Sequence, residues 1–254
     1  MGYLHDGHIS LIRKSKKKAD ITVVSIFVNP TQFAPNEDYN KYPRDIKKDK
    51  GLLRREQVDI LFCPNASEIY GADFQTYTSV ENITKILEGE FRPTHFKGVT
   101  TIVSILFNCV KPDFVYFGQK DAQQAEVIRR MVNDLKFDLK VEVCPIVREK
   151  DGLALSSRNI YLSEKERQDA LVLNKSLKLG EKMIKEGEAS TEKILNEMRK
   201  LIGSVDSSEL DYVSIVDKKS FSIASFIEKG KKYYILVACK IGKTRLIDNL
   251  LIKA

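Results

Sequence analysis

The chain has 254 residues, 43% of them apolar, and a formal net charge of +7. That length buries a sizeable core in one large domain or two. No apolar run approaches the roughly 20 residues a bilayer span needs, and Cys63, Cys109, Cys144 and Cys239 are too scattered for a CxxC pair, a zinc pattern or a disulfide framework, so a soluble cytoplasmic protein with no membrane partner is expected.

The chain opens on Met1-Gly2-Tyr3-Leu4-His5-Asp6-Gly7-His8, and an amphipathic run follows from Ile9 to Ala19. Two histidines three apart at the start of a helical pattern bring two imidazoles beside the free N–H groups of a first turn, where a phosphate can sit. On spacing alone, a pair of solvated turn histidines fits as well. Ile21 to Val28 is a continuous apolar run, expected as a strand covered on both faces and stopped by the loop Asn29-Pro30-Thr31-Gln32. Pro43 to Gln57 reads as a charged helix, Val58 to Cys63 as the next buried strand, Thr76 to Val80 as a short strand and Asn82 to Glu88 as a short helix. Val99, Ile102, Val103, Leu106, Phe107 and Val110 form a helical stripe. Asp113 to Phe117 is a strand opening onto Gly118-Gln119-Lys120-Asp121, with a helix striped by Ala122, Ala125, Ile128, Val132 and Leu135 behind it, and Val141 to Val147 is the last strand of this half.

Beyond Val147 the texture changes. Lys150-Asp151-Gly152 reads as a turn, Ser156 to Asn159 as a polar loop, Ser163 to Lys185 as one long helix and Ser190 as the cap of a second. Leu210 to Val216, Tyr233 to Cys239 and Thr244 to Ile247 are strand-like, with Gly230 and Gly242 at turns. The fold class is therefore α/β, a Rossmann-like parallel sheet with helices on both faces over 1–146, followed by a smaller C-terminal α+β domain over 147–254.

In such sheets ligands bind beyond the carboxyl ends of the strands, so the octapeptide, the loop ending at Gln32 and the loop Gly118 to Asp121 should share one rim. Lys120 on a glycine-led loop suits a phosphate, Arg158 behind two serines offers a second cation, and Gln32 and Gln124 are neutral amides able to orient a hydroxyl or carboxylate. Each of these alone is ordinarily a solvated surface residue. The positive charge admits nucleic acid, but its lysines are interleaved with acids and lack the aromatic platform that strand binding requires.

The octapeptide, Ser25 to Phe33, Arg92-Pro93-Thr94-His95-Phe96-Lys97-Gly98-Val99, Gly118-Gln119-Lys120-Asp121 with Gln123-Gln124, Asp151 to Asn159, and Arg245-Leu246-Ile247-Asp248-Asn249 occur in this order along nearly the whole chain. Together they resemble the pantothenate synthetase family, the pantoate:β-alanine ligases of the histidine-motif nucleotidyltransferase superfamily. The resemblance implies condensation of pantoate with β-alanine through a pantoyl adenylate, with ATP consumed, AMP and pyrophosphate released, Mg²⁺ as cofactor and a homodimer as the assembly. By motif position it assigns Met1, Gly2, Tyr3, Leu4, His5, Asp6, Gly7, His8, Gly118, Gln119, Lys120, Asp121, Val147, Leu155, Ser156, Ser157 and Arg158 to ATP. It gives His8 the role of proton donor with His5 as companion, and assigns Gln32 and Gln124 to pantoate, Gln32 also lying near β-alanine. Lys120, Arg158 and the histidines are expected to supply positive charge between the phosphates, and the second domain to act as a lid. Gln119 stands where the family usually has glutamate, and Thr94 where glycine is common. The resemblance further implies a central strand ahead of Met1, whose loss would leave unpaired backbone groups, so a longer active chain is expected. The rival readings are another nucleotidyltransferase of the superfamily, a nucleic-acid binder and an inactive scaffold.

Overall fold

The computed structural model describes residues 2–35 and 37–254. The chain divides into two compact units, Met1–Val147 and Arg148–Ala254.

In the first unit, helix α1 (Asp6–Lys16) leads to strand β1 (Val23–Ser25), helix α2 (Ile46–Arg55) and strand β2 (Ile60–Phe62). β1 and β2 are parallel, Val23 opposite Ile60. Leu4, Ile9, Ile12, Val24, Ile26 and Leu53 make the core between them. Short helices α3 (Ala66–Ile69) and α4 (Glu88–Phe91) precede α5 (His95–Val110), β3 (Phe114–Gly118), α6 (Ala122–Asp134) and β4 (Lys140–Cys144). β3 and β4 are again parallel. Val99, Ile102, Val103 and Phe107 of the expected α5 stripe are buried and pack with Val127, Ile128 and Met131 of α6. On α6 the expected stripe is only partly the buried face: Ala122, Ala125 and Ile128 are buried, but Val127 and Met131, which the stripe omits, complete the core, and Leu135 lies past the helix end and is 56% exposed.

The α/β class holds, but several elements depart from expectation. Among the described residues the parallel strands form two separate pairs, β1 with β2 and β3 with β4. The apolar run Ile21 to Val28 pairs over only three residues, and Ile21 is 63% exposed. The strand expected to be buried at Val58 to Cys63 is likewise short, with Ile60 half exposed. Thr76 to Val80 is not a strand. Its backbone is satisfied from the side, Thr78 N–H donating to the Thr101 hydroxyl and its carbonyl accepting from the Thr100 hydroxyl of α5, so no ladder is needed. Asn82 to Glu88 is mostly turn, the helix starting only at Glu88.

In the second unit α7 (Glu164–Asp169), α8 (Leu171–Lys185) and α9 (Thr191–Gly203) precede the antiparallel strands β5 (Ser208–Asp217), β6 (Lys232–Ile241) and β7 (Thr244–Lys253). Leu173, Leu177 and Ile184 of α8 and Ile194, Met198 and Ile202 of α9 bury against Ile215, Ile235 and Val237. The expected single helix from Ser163 to Lys185 is two, broken at Ala170. Ser163 caps the first by a reciprocal box with Glu166, and Ser190 caps α9, as read from the sequence. No helix among the described residues is long and apolar enough to cross a membrane.

Candidate active site

His5 is the N-cap of α1, and its extended backbone turns the chain into the helix. Its Nδ1 accepts the Gly7 N–H at 3.2 Å, while the His5 N–H is donated to His8 Nδ1 at 3.3 Å. The two rings lie 4.0 Å apart, centroid to centroid. Since both Nδ1 atoms are acceptors, the neutral rings carry their protons on Nε2. Asp6 in the first turn suits the positive helix end locally.

The residues before the histidines are held from α2. Asp49 is 1% exposed, and its two oxygens accept the Tyr3 N–H at 2.9 Å and the Leu4 N–H at 2.7 Å. Tyr3 has φ +52°, a left-handed conformation that costs a non-glycine residue about 1–2 kcal/mol. The Lys48 ammonium lies 4.5 Å over the Tyr3 ring. In the sequence Asp49 stands within the charged helix Pro43 to Gln57, which hides it, because its partners are two backbone groups remote in the chain.

Gly118 ends β3, and Gln119–Asp121 form one turn of 3-10 helix before α6. Lys120 is partly buried, 3.9 Å from Asp121. It is brought to the imidazoles: burial first, then Lys120, pushes His5 down to about 4, and burial, His5 and Lys120 hold His8 well below the ordinary histidine range. Both rings are therefore neutral at pH 7 and present Nε2–H donors, whereas the sequence led to an expectation of positive charge from them. Asp6 and Asp121 act on His5 in the opposite sense.

Gln32 closes a 3-10 turn, Pro30–Gln32, that Asn29 caps. Asn29 is 2% exposed, donates to the Gly98 carbonyl at 3.0 Å and accepts from Thr31 and the Tyr70 hydroxyl. Gly98 is required here, since a Cβ would stand 2.5 Å from the Thr31 carbonyl oxygen. The Gln32 carbonyl in turn accepts from Arg92 and pairs with His95 Nδ1, while Arg92 forms a bidentate pair with Glu37 at 2.6 and 2.8 Å. The residues of the Arg92 to Gly98 motif thus build the turn that carries Gln32. Gln124 lies half-buried on α6; its neighbour Gln123 is buried and braces the carbonyls of Ile83 and Ile86.

Val147 follows the end of β4. In the second unit Ser156 accepts the Arg158 N–H at 3.2 Å and starts a 3-10 turn, Ser157–Tyr161, in which Ser157 is buried and Arg158 partly buried, as is Leu155 just ahead of it. Met1 lies outside the described residues.

The three histidines of the chain are all shifted the same way, His95 also to about 4 through burial and then Arg92. An unfolded histidine titrates near 6.5, so between pH 6.5 and 4 the unfolded chain binds protons that the folded one refuses. Their contribution to stability is complete above pH 6.5 and is lost as pH falls toward 4. For enclosed His95 the interval amounts to about 3 kcal/mol. Carboxylates held low by backbone N–H groups, such as Asp59 by Thr22 and Asp217 by Ser220, give up stability only below about pH 4.5. The thermal midpoint should accordingly drop steeply between pH 6.5 and 5, and less so in His95→Gln; a midpoint flat over that window would contradict the burial of these rings.

Two neutral imidazoles at a helix N-terminus, a lysine bearing on both and a glycine-led turn have the chemistry that nucleotide-using enzymes bring to a phosphate. The family model described as pantoate-beta-alanine ligase matches residues 1–251. A pantothenate synthetase of Pseudothermotoga lettingae is 53% identical over 252 residues, spanning 99% of this chain and 89% of that protein. One of Thermotoga petrophila is 52% identical over 252 residues, with the same shares covered, 99% and 89%. The crystal structure of pantothenate synthetase from Thermus thermophilus matches with a TM-score of 0.95 at 42% identity, over 100% of this chain and 91% of that one. Pantoate-beta-alanine ligase from Francisella tularensis, complexed with beta-gamma ATP and beta-alanine, matches with a TM-score of 0.80 at 36% identity, over 99% and 87%. The chain belongs to the pantoate-beta-alanine ligase family.

Proposed function

We propose that this chain is an AMP-forming ligase that condenses pantoate with β-alanine, joining them by an amide bond at the expense of ATP. The observation that carries this reading is the paired rings of His5 and His8 at the start of α1, on both of which Lys120 bears from the turn after β3, in a chain 53% identical to a pantothenate synthetase. In the first step the pantoate carboxylate attacks the α-phosphate and pyrophosphate leaves; in the second the β-alanine amine attacks the acyl carbon and AMP leaves.

The chemistry suits the residue types. A carboxylate meeting a polyphosphate is anion against anion, and charge builds on the leaving oxygen. Lys120 supplies positive charge, and the Nε2–H groups of His5 and His8 donate hydrogen bonds. A polyphosphate beside the rings meets two Nε2–H donors, so His8 donates a hydrogen bond from Nε2–H to the departing pyrophosphate while its Nδ1 keeps the His5 N–H. Gln32 and Gln124 orient pantoate through neutral amides without adding charge that would compete for the phosphates. Val147 and Leu155 to Arg158 enter as nucleotide-binding residues by motif position alone.

Among the described residues no three His, Cys, Asp or Glu side chains cluster to cage a metal. A Mg²⁺ brought in with the nucleotide would find Asp121, beside Lys120 on the turn after β3, as the carboxylate able to help hold it. Such an ion would supply positive charge against the phosphates. Cytoplasmic location and a homodimer complete the reading.

Steady AMP release from ATP should require both pantoate and β-alanine, with pyrophosphate formed once per site when β-alanine is withheld. AMP release that ignores pantoate, or transfer to a phosphate acceptor instead, would replace this reading with that of another nucleotidyltransferase.

A further inference from the structure

Asp49 does an unusual thing for a carboxylate. Buried carboxylates ordinarily face arginine or lysine, yet this one receives two consecutive backbone N–H groups, those of Tyr3 and Leu4, at 2.9 and 2.7 Å. Those two residues immediately precede His5. The Asp49 oxygens fix the peptide planes on either side of Tyr3, which itself sits at φ +52°. From there one residue, Leu4, 1% exposed, connects to the N-cap. The His5 N–H that steers His8 Nδ1 belongs to the next peptide plane. Rotating the Tyr3–Leu4 segment therefore swings the His5 N–H away from His8 Nδ1, and with it goes the constraint that keeps the His8 proton on Nε2.

We propose that Asp49 is a positioning residue for the imidazole pair, holding the chain ahead of His5 so that both rings keep Nδ1 turned to the backbone and Nε2–H directed to the phosphates. It touches no substrate and acts only through Tyr3 and Leu4. The inference rests on the ligase reading for its kinetic consequence, but its structural consequence can be measured without any assay.

The test compares Asp49→Asn and Asp49→Glu in the full chain, each labelled with ¹⁵N histidine. Asn keeps the volume but accepts only one of the two N–H groups and turns an NH₂ toward the other. Glu keeps the charge and moves it by a methylene. The expected kcat falls by about 30- to 100-fold in each, as for a displacement of catalytic groups on the order of 1 Å, with the KM for pantoate and β-alanine within about twofold of the wild type. The ¹⁵N spectra of His5 and His8 should depart from the Nε2–H tautomer, while His95, the only other histidine, serves as the unchanged control. A purely structural role lowers the thermal midpoint but leaves kcat and the tautomers of the folded protein alone. Wild-type kcat or wild-type His5 and His8 tautomers in a folded variant overturns the proposal, and if Asp49→Asn fails to fold, Asp49→Glu decides. Should the wild type release no AMP, the ligase reading fails while the spectral comparison still judges Asp49.

Discussion

Lys120→Ala lowers kcat by about 10²- to 10³-fold and leaves the fold intact, because the lysine's work is electrostatic and its side chain is no part of a hydrophobic core. Lys120 stands on the turn between β3 and α6, and after burial it is the strongest influence holding the His5 proton affinity down to about 4. In the proposed reaction the same charge that repels a proton from the imidazoles would attract the developing charge on the pyrophosphate. Two measurements separate this role from a local packing effect. In steady-state kinetics the loss should appear in kcat more than in the KM for β-alanine, which enters only after pyrophosphate has gone. In a histidine titration without substrate, His5 in the variant should titrate above its wild-type value, since the second-largest cause of the depression has been deleted. Lys120→Arg restores the charge but not the compact ammonium, so it should recover only part of the rate. A variant with wild-type kcat and an unmoved His5 would mean that Lys120 does not act on the imidazoles and that another cation meets the phosphates.

How much of this is legible in the residues depends on whether the cause of each feature is local. The histidine pair can be read because capping is a four-residue affair: His5, Gly7 and His8 satisfy one another within the first turn. The stripes of α5 and α6 can be read because burial on one helix face leaves a period in the sequence. Asp49 cannot, since an aspartate among lysines resembles a solvated helix residue until the Tyr3 and Leu4 amides are seen against it. Strand length misleads for a similar reason. An apolar run from Ile21 to Val28 records hydrophobicity, whereas the strand extends only as far as its ladder with Ile60 to Phe62. The break at Ala170 has neither glycine nor proline to mark it, and nothing in the sequence around it explains it. Arg92 and His95 stand in the sequence as parts of a motif without a role; their side chains converge on the Gln32 carbonyl, a contact across 60 residues that spacing cannot reveal.

The second large effect concerns stability, and it lies in the second unit. Arg148→Ala should destabilise the protein by about 3–5 kcal/mol, a large share of the roughly 5–15 kcal/mol that a protein of this kind has. Arg148 makes a bidentate pair with Asp248 of β7 at 2.6 and 2.8 Å and also donates to the carbonyls of Gly152 and Asn249. The Asp248 side chain is only 3% exposed, so truncating the arginine takes a bidentate guanidinium away from a buried carboxylate, which keeps the Asn249 N–H among its contacts. The same guanidinium pins the tight turn Glu149 to Leu153, where Gly152 takes φ +100° and a Cβ would meet the Asn174 side chain at 2.0 Å. That turn delivers the chain to Leu155, Ser156, Ser157 and Arg158, so its loosening should also raise the mobility of the stretch that motif position assigns to the nucleotide. Denaturant unfolding gives the stability, and hydrogen exchange over 149–159 gives the local part. The double variant Arg148→Met, Asp248→Leu discriminates the cause: removing both charges with little loss of volume should recover most of the lost stability, since the cost of the single change is a buried carboxylate that has lost its bidentate guanidinium rather than the absent pair. If the double variant is as unstable as the single one, the hydrogen bonds to Gly152 and Asn249 matter more than the ion pair, and the turn is held by the guanidinium's reach instead of its charge.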